Sequence, residues 1–404
     1  MIEIKLSYIY NFEQDEQLLV ELLDEFGAQH GIKVQLQRMT WGTAWADLFT
    51  IASNGAGADV SHIGSTWVSS LAKMNALRAF KPTEVAEMGT PMTFMEPARQ
   101  STRLFEDERV WSIPWTCWIY VVCYRKDLLK KAGIDVSRAF GMIQAFSETL
   151  TTLKNSSLEI PWLNQYNPES YTDLLHLAAS WIWAAGGDFI DGSGTKVIFD
   201  SPQAIQGLIG WLDTFRKVPN EYRNLPRLEA RKLFVEGGAA GLLCDINIAN
   251  SIIATEKNTL IQENLGITSL THVPWTGGGN FVIWDHTRGH PGVEKASLEL
   301  IKFLVSKESN LRWMHAAGQM PARIDALEES YPQGHPLHNA IMLAAQQGRA
   351  YVNIPHWRRI EYQLGQELGA VLQEANDNPS ADSGTILRTH MESLARRLNI
   401  TLGN

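Results

Sequence analysis

The 404-residue chain has no apolar run near the roughly 18 residues needed to cross a bilayer. Its most apolar stretch, Trp115–Tyr124, is too short and too aromatic for that and reads as a buried strand. A basic surplus is missing too. With 35 Lys and Arg against 44 Asp and Glu the formal net charge is −9, which argues against a nucleic-acid surface. Short basic pairs such as Arg125-Lys126 and Arg358-Arg359 read as solvated helix ends. Cysteine is scarce. Of the three, Cys117 and Cys123 lie six apart on one expected strand, about 20 Å at ~3.3 Å per residue, well beyond the ~7 Å that a disulfide tolerates. Cys244 could pair with either, but an odd count leaves a thiol free, and three buried apolar cysteines are the simplest reading.

Catalytic signatures are missing as well. There is no CxxC, HExxH, GxSxG, Walker A or complete GxGxxG, and no motif singles out the carboxylate pair that a glycosidase requires. The oxygen-rich loop Asp188–Gly194 does not match EF-hand spacing. The chain therefore reads as non-enzymatic, with no cofactor and no metal. No internal repeat or low-complexity tract is present, and the loosest linker is Asn376–Ser380. The first residues, Met1-Ile2-Glu3-Ile4-Lys5-Leu6, enter a strand-like alternation with no signal peptide ahead of it, so the protein is either cytoplasmic or begins after a removed leader.

What the chain has is tryptophan, fourteen in all, more than core packing readily absorbs. It also has an ordinary 45% of hydrophobic residues and a length that suggests two or three domains. The first third alternates strand and helix. Ile2–Tyr8 is a strand; Leu18, Leu19, Leu22, Leu23 and Phe26 recur at helical spacing, with Gly27 or Gly31 as the stop; Ile32–Gln37 is a second strand; Trp41–Ser53 is helical; Asp59–Ile63 is a third strand. That order predicts a mostly parallel α/β sheet. A second α/β region runs from about residue 114 to 267, with strands at Trp115–Tyr124, Leu158–Leu163 and Ala239–Cys244 and helices at Asp173–Ala185, Ser201–Arg216 and Pro226–Val235. Ser201-Pro202 is a strong helix start.

Several segments then carry a family pattern in order. Phe26–Val34 has the form "F…GIKV". Gly57–Val60 has the form of a third strand, with Ala58 where proline is usual. Trp111-Ser112-Ile113-Pro114-Trp115 leads to Tyr124-Arg125-Lys126-Asp127-Leu128-Leu129-Lys130-Lys131-Ala132-Gly133. Phe234–Ala240 follows, with Gly238 where lysine is usual, then Ala296–Val305, Gln319–Arg323 and Asn353–Pro355. The segment Ser137–Phe140 stands where the pattern usually reads "PxTWDE". Over nearly the whole chain the sequence resembles the family 1 extracellular solute-binding proteins, which include maltose- and other oligosaccharide-binding proteins.

The resemblance implies an α/β, periplasmic-binding-protein-like fold with two α/β lobes joined by a multi-segment hinge. Lobe one would span 1–113 and 273–316, and lobe two 114–272 and 317–404. Crossings fall near Ile113–Trp115, Ser269–Pro274 and Ala317–Pro321, and the ligand cleft lies between the lobes. It implies the substrate-binding component of an ABC importer, periplasmic or extracellular with or without a lipid anchor, monomeric, partnered by transporter permease subunits and not by nucleic acid. It also implies ligand contacts at Ser65, Thr66 and Trp67 and at Trp118.

The residues support a sugar independently, because rings cover its C–H faces and polar groups bond its hydroxyls. Such mixtures occur where strand ends are expected: Asn11, Phe12 and Glu13; Trp41; Ser65, Thr66 and Trp67; Thr116 and Trp118; Asn164 and Tyr166; Asp245 and Asn247; Gly278, Gly279 and Asn280; His356 and Trp357. Asp245 and Asn247 stand where the family often has a stacking aromatic, so stacking is expected from Trp41, Trp67 or Trp118 and polar contact from lobe two. Asp245 reads equally as a helix cap, His356 as a cap, and Trp181, Trp183, Trp211, Trp284 and Trp313 as packing; Arg323 reads as a structural ion pair. The competing readings are a signal-less ligand sensor and a binder of another polar solute, such as a polyol or a glycerophosphodiester.

Overall fold

The computed structural model describes residues 2–10, 13–165, 171–223, 225–254 and 259–402. Its strands are β1 (Ile2–Ile9), β2 (Ile32–Met39), β3 (Val60–Gly64), β4 (Ile113–Arg125), β5 (Leu163–Asn164), β6 (Gly241–Asp245), β7 (Leu265–Ser269), β8 (Thr276–Ile283) and β9 (Met320–Pro321). The chain divides into two compact units. Unit 1 is Met1–Trp118, Thr276–Pro332 and Ala350–Arg358; unit 2 is Ile119–Trp275, Gln333–Arg349 and Arg359–Asn404. The segments 317–332 and 350–358, placed in lobe two on sequence, belong to unit 1. One reason is that β9 pairs with the first half of β4, Thr116 against Pro321 and Cys117 against Met320.

In unit 1, β1 alternates as its sequence suggests: Ile4, Leu6 and Tyr8 are buried while Glu3 and Lys5 are exposed. It pairs in parallel with β2, from Ile2↔Ile32 to Ile9↔Met39, and with β3 at Leu6↔Val60. β8 then closes on β3 antiparallel, Val60↔Ile283 to Gly64↔Gly279. β3 is buried along its whole length, as expected for a strand covered on both faces. The helix Glu13–His30 follows β1 and buries Leu18, Leu19, Leu22, Leu23 and Phe26, the residues its periodicity marks. It stops at Gly31, whose φ of +65° takes the left-handed cap conformation; Gly27 stays within the helix.

The next helix starts later than its pattern suggests. It spans Ala44–Asn54, because Thr40 carbonyl accepts from Thr43 and Ala44 N–H and holds residues 41–43 in a turn. That turn keeps Trp41 out of the helix, at the carboxyl end of β2.

In unit 2 the second half of β4 is flanked by β6 and β7, both antiparallel, and β5 pairs in parallel with β6. The helices Tyr171–Ala184, Pro202–Arg216 and Arg227–Val235 fall close to their expected bounds, and Ser201 caps the second by accepting from Ala204 N–H. The expected strand Leu158–Leu163 is pared down: only Leu163 and Asn164 reach Leu242 and Leu243, with an isolated bridge from Ile160 to Ala239. Cys117, Cys123 and Cys244 are buried free thiols, and burial pushes Cys117 up to about 12. Among the described residues no helix is long and apolar enough to cross a membrane.

Candidate functional site

Unit 1 gathers aromatic rings where β2 and β3 end. Trp41 lies in the turn after β2, Trp45 on the helix it leads into, Trp67 at the end of the one-turn helix Ser65–Trp67 that follows β3, and Trp118 on β4. Ring centroids lie 5.6 Å apart for Trp41 and Trp67, 5.2 Å for Trp41 and Trp118, and 5.8 Å for Trp45 and Trp67. Trp67 is buried in the core formed by Met39, Leu48, Ile63, Val68 and Trp284, whereas Trp41 and Trp45 pack on its edge and stay half-buried, as does Trp118. The four indoles therefore form an apolar floor with exposed ring surface on three of them.

Beneath the floor sits His62. Its ring packs against Tyr8 at 5.3 Å, Trp115 at 5.1 Å and Phe281 at 5.9 Å, and touches Trp41 at 6.4 Å. Burial holds its pKa down to about 3, so the ring is a neutral packing element. Arg358 was missed on sequence, where it reads as a solvated helix end. It is half-buried, with its guanidinium carbon 5.3 Å from the Trp45 ring centre and 5.8 Å from that of Trp67. Its neighbour Arg359 is exposed. No local signal distinguishes the two arginines, because which of them meets the indoles depends on where the segment 350–358 is docked; Ser70 Oγ holds that segment by donating to Pro355 carbonyl at 3.1 Å.

The other candidates of unit 1 divide by environment. Ser65 is buried and Thr66 half-buried beside Trp67; Thr116 is buried and its hydroxyl has no partner among the described residues. A Cβ at Gly278 would overlap the Thr116 carbonyl oxygen, and one at Gly279 would overlap His62 Nε2, so both glycines are packed from within. Asn280 is buried and donates to Ser101 Oγ (3.1 Å) and Ser112 Oγ (2.9 Å). Trp357 is fully buried and stacks on Tyr351 at 4.4 Å, while His356 is exposed. Glu13 opens its helix. Asn11, Phe12 and Tyr166 lie outside the described residues.

In unit 2, Asp245 ends β6 and caps the helix Ile246–Ile253, accepting from the N–H groups of Asn247 (2.8 Å) and Ile248 (3.1 Å). It also accepts from Gln165 Nε2 at 3.0 Å and pairs with Arg227 at 2.8 Å. This gives the cap reading a full set of bonds. Asn247 is half-buried in the first helical turn, and its side-chain oxygen has no partner among the described residues. Asn164 is a core residue that accepts from Trp162 Nε1 (2.9 Å) and donates to Thr214 carbonyl (2.8 Å).

A second cluster in unit 2 went unnoticed on sequence because its members are far apart in the chain. His176 lies flat on Trp275, centroids 4.3 Å apart and planes within 13°, and its Nε2 is 3.9 Å from the buried Glu361 carboxylate. Tyr120 packs on Trp275 at 5.8 Å. Burial, then the carboxylates of Asp173 and Asp245, push the Tyr120 phenol well above its usual range, so it keeps its proton.

Several other residues have structural surroundings. Trp181, Trp183, Trp211, Trp284 and Trp313 are buried, and Arg323 pairs with Asp325 at 2.8 Å while bonding the Met88 and Val305 carbonyls. The Asp191 carboxylate is taken up by Ser193 Oγ and by the N–H groups of Thr195 and Lys196. Among the described residues no group of His, Cys, Asp and Glu could hold a metal ion. Within unit 1 the half-buried indoles of Trp41, Trp45 and Trp118 leave ring surface uncovered, the kind of surface that takes the apolar face of a polar solute.

Comparison with known proteins agrees. No curated protein matches the sequence. The maltose-bound MalE3 of T. maritima is 20% identical over 99% of this chain and 100% of its own, with a TM-score of 0.76. The sugar-binding protein MalE of Xanthomonas citri is 16% identical over 99% and 97%, with a TM-score of 0.79. A ribitol-bound ABC transporter solute-binding protein of Agrobacterium radiobacter K84 is 18% identical over 98% of each chain, with a TM-score of 0.74. At such identities these structures establish the fold, which is the one that the sequence motifs imply. Residues 21–339 match the family described as bacterial extracellular solute-binding protein, a family of binding proteins and not of enzymes. With most of its length matched and its fold shared from end to end, the chain belongs to the bacterial extracellular solute-binding proteins.

Proposed function

We propose that the chain binds a carbohydrate or a related polyol as the solute-binding component of an ABC importer, working outside the cytoplasm as its family implies. The observation that carries this reading is the indole floor of Trp41, Trp45, Trp67 and Trp118, capped at one side by Arg358. Arg358 covers ring surface of Trp45 and Trp67. Trp41 and Trp118 are then the rings for the C–H face of a sugar, and Ser65 and Thr66, in the same short helix as Trp67, are the groups for its hydroxyls. Within unit 2, the side-chain oxygen of Asn247, without a partner among the described residues, is the polar group that supports the reading. Maltose and ribitol, bound by proteins of the same fold, are solutes of this chemistry. A monomeric state completes the proposal.

The test is a thermal-shift panel of mono- and oligosaccharides and polyols, followed by calorimetry on any hit. A ligand at 100 times its dissociation constant adds about 2.7 kcal/mol to stability and raises the melting temperature measurably. Trp41→Ala is expected to weaken the hit by about tenfold, or ~1.4 kcal/mol, with the fold retained. A panel without any shift overturns the carbohydrate assignment; unchanged affinity in Trp41→Ala overturns the site.

A further inference from the structure

The helix Trp357–Asp377, which belongs to unit 2 from Arg359 on, faces the terminal helix Ser383–Leu402 across His390. His390 on the terminal helix faces two carboxylates of the other: Nδ1 lies 2.6 Å from Glu367 Oε1 and Nε2 lies 2.9 Å from Glu374 Oε2. Glu367 and Glu374 are seven residues apart, so they share a helix face. An ionised carboxylate only accepts hydrogen bonds, and a neutral imidazole donates from one nitrogen alone. Neither neutral tautomer satisfies both contacts. The cation, with a proton on each nitrogen, satisfies both.

The surrounding charges do not replace it. Arg397, on the same helix, pairs with the second oxygen of Glu367 at 3.2 Å. Arg388 faces Asp382 at the start of the helix. From the helix Pro202–Arg216, which also packs on the terminal helix, Arg216 bonds Ser383 Oγ and the carbonyls of Pro379 and Ala381, and Asp213 pairs with Lys217. Among the described residues, His390 is the side-chain partner of the Glu374 carboxylate.

We propose that His390 is a proton-operated clasp that ties the terminal helix Ser383–Leu402 to the helix Trp357–Asp377, closed when the imidazole is charged and loosened when it is neutral. Burial works against the charge, but the hydrogen bonds and charges of Glu374 and Glu367 outweigh it and raise the pKa above the usual histidine value. A pKa raised on folding contributes stability that is complete below the unfolded value of about 6.5 and is lost as pH rises through the folded one.

Amide hydrogen exchange of the full chain, followed by mass spectrometry between about pH 6 and pH 9 and corrected for intrinsic rates, reads this directly. Protection of peptides within 383–402 is expected to fall severalfold across the range, while peptides of β6 keep theirs. Glu374→Gln provides an amide that donates to the neutral Nε2, so the fall should shrink and protection at high pH should persist. His390→Gln should give low, pH-independent protection of the same peptides. Flat protection in the unaltered chain, or a fall that Glu374→Gln leaves in place, overturns the clasp. The Glu374→Gln arm stands even where His390→Gln does not fold.

Discussion

Single residues carry most of the chemistry, and neighbours in sequence do different work. Trp41 and Trp45 are one helical turn apart in number, yet the turn at residues 40–43 separates them: Trp41 sits before the helix and Trp45 on it. Arg358 lies against indoles while Arg359 is exposed. The triple glycine Gly277–Gly279 reads on sequence either as backbone close to a ligand or as a flexible turn. On the side where a Cβ would stand, Gly278 and Gly279 meet the protein's own Thr116 and His62. Gly279→Ala is therefore expected to force His62 out of its aromatic cage and to destabilise the chain by about 1–3 kcal/mol, the usual cost of overpacking. Urea denaturation measures it; an unchanged midpoint would sink the packing assignment.

At the scale of elements, ends and junctions are held by polar groups. Asp245 serves the helix Ile246–Ile253 as a cap and Arg227 as a counter-ion. In unit 1, Arg78 on the segment after the helix Val68–Lys73 is buried between Glu84 and Glu294, with bonds of 2.7 Å to each. Breaking such a cluster by removing one partner leaves an uncompensated buried charge, so Arg78→Ala should cost about 3–5 kcal/mol. The pH dependence has a definite sign. Burial raises the Glu84 pKa, but the Arg78 hydrogen bonds, a backbone bond from Lys81 and the Arg78 charge outweigh it and hold the group below its ordinary value. A depressed carboxylate contributes stability that is present above its unfolded pKa and lost as pH falls through the folded one. Melting temperatures taken from pH 5 downward should thus drop more steeply in the unaltered chain than in Glu84→Gln. Parallel curves would refute the pairing as an energetic element.

For the whole molecule, the proposed monomer has a direct check: light scattering after gel filtration should return a one-chain mass with and without sugar, and a two-chain mass rejects it. How much of the molecule was legible varies with distance along the chain. Strand alternation in β1, the apolar stripe of the helix Glu13–His30, the Ser201-Pro202 start and the run of family motifs depend on residues within a few turns of one another. Short-range sterics and burial of one face decide them, so sequence sufficed for the α/β class, the family and most helices. The bounds of the two units did not follow in the same way. Segments 317–332 and 350–358 join unit 1 through pairing with β4 and through Ser70, contacts some 200 to 285 residues apart.

The candidate site shows the same division. Aromatic and polar residues at strand ends were visible as types. Which rings keep exposed surface, that Arg358 lies over two of them, and that His176, Trp275, Tyr120 and Glu361 converge were decided by tertiary structure. Packing neighbours are chosen by three-dimensional burial, and no local pattern encodes a contact between residues brought together only when the sheets assemble.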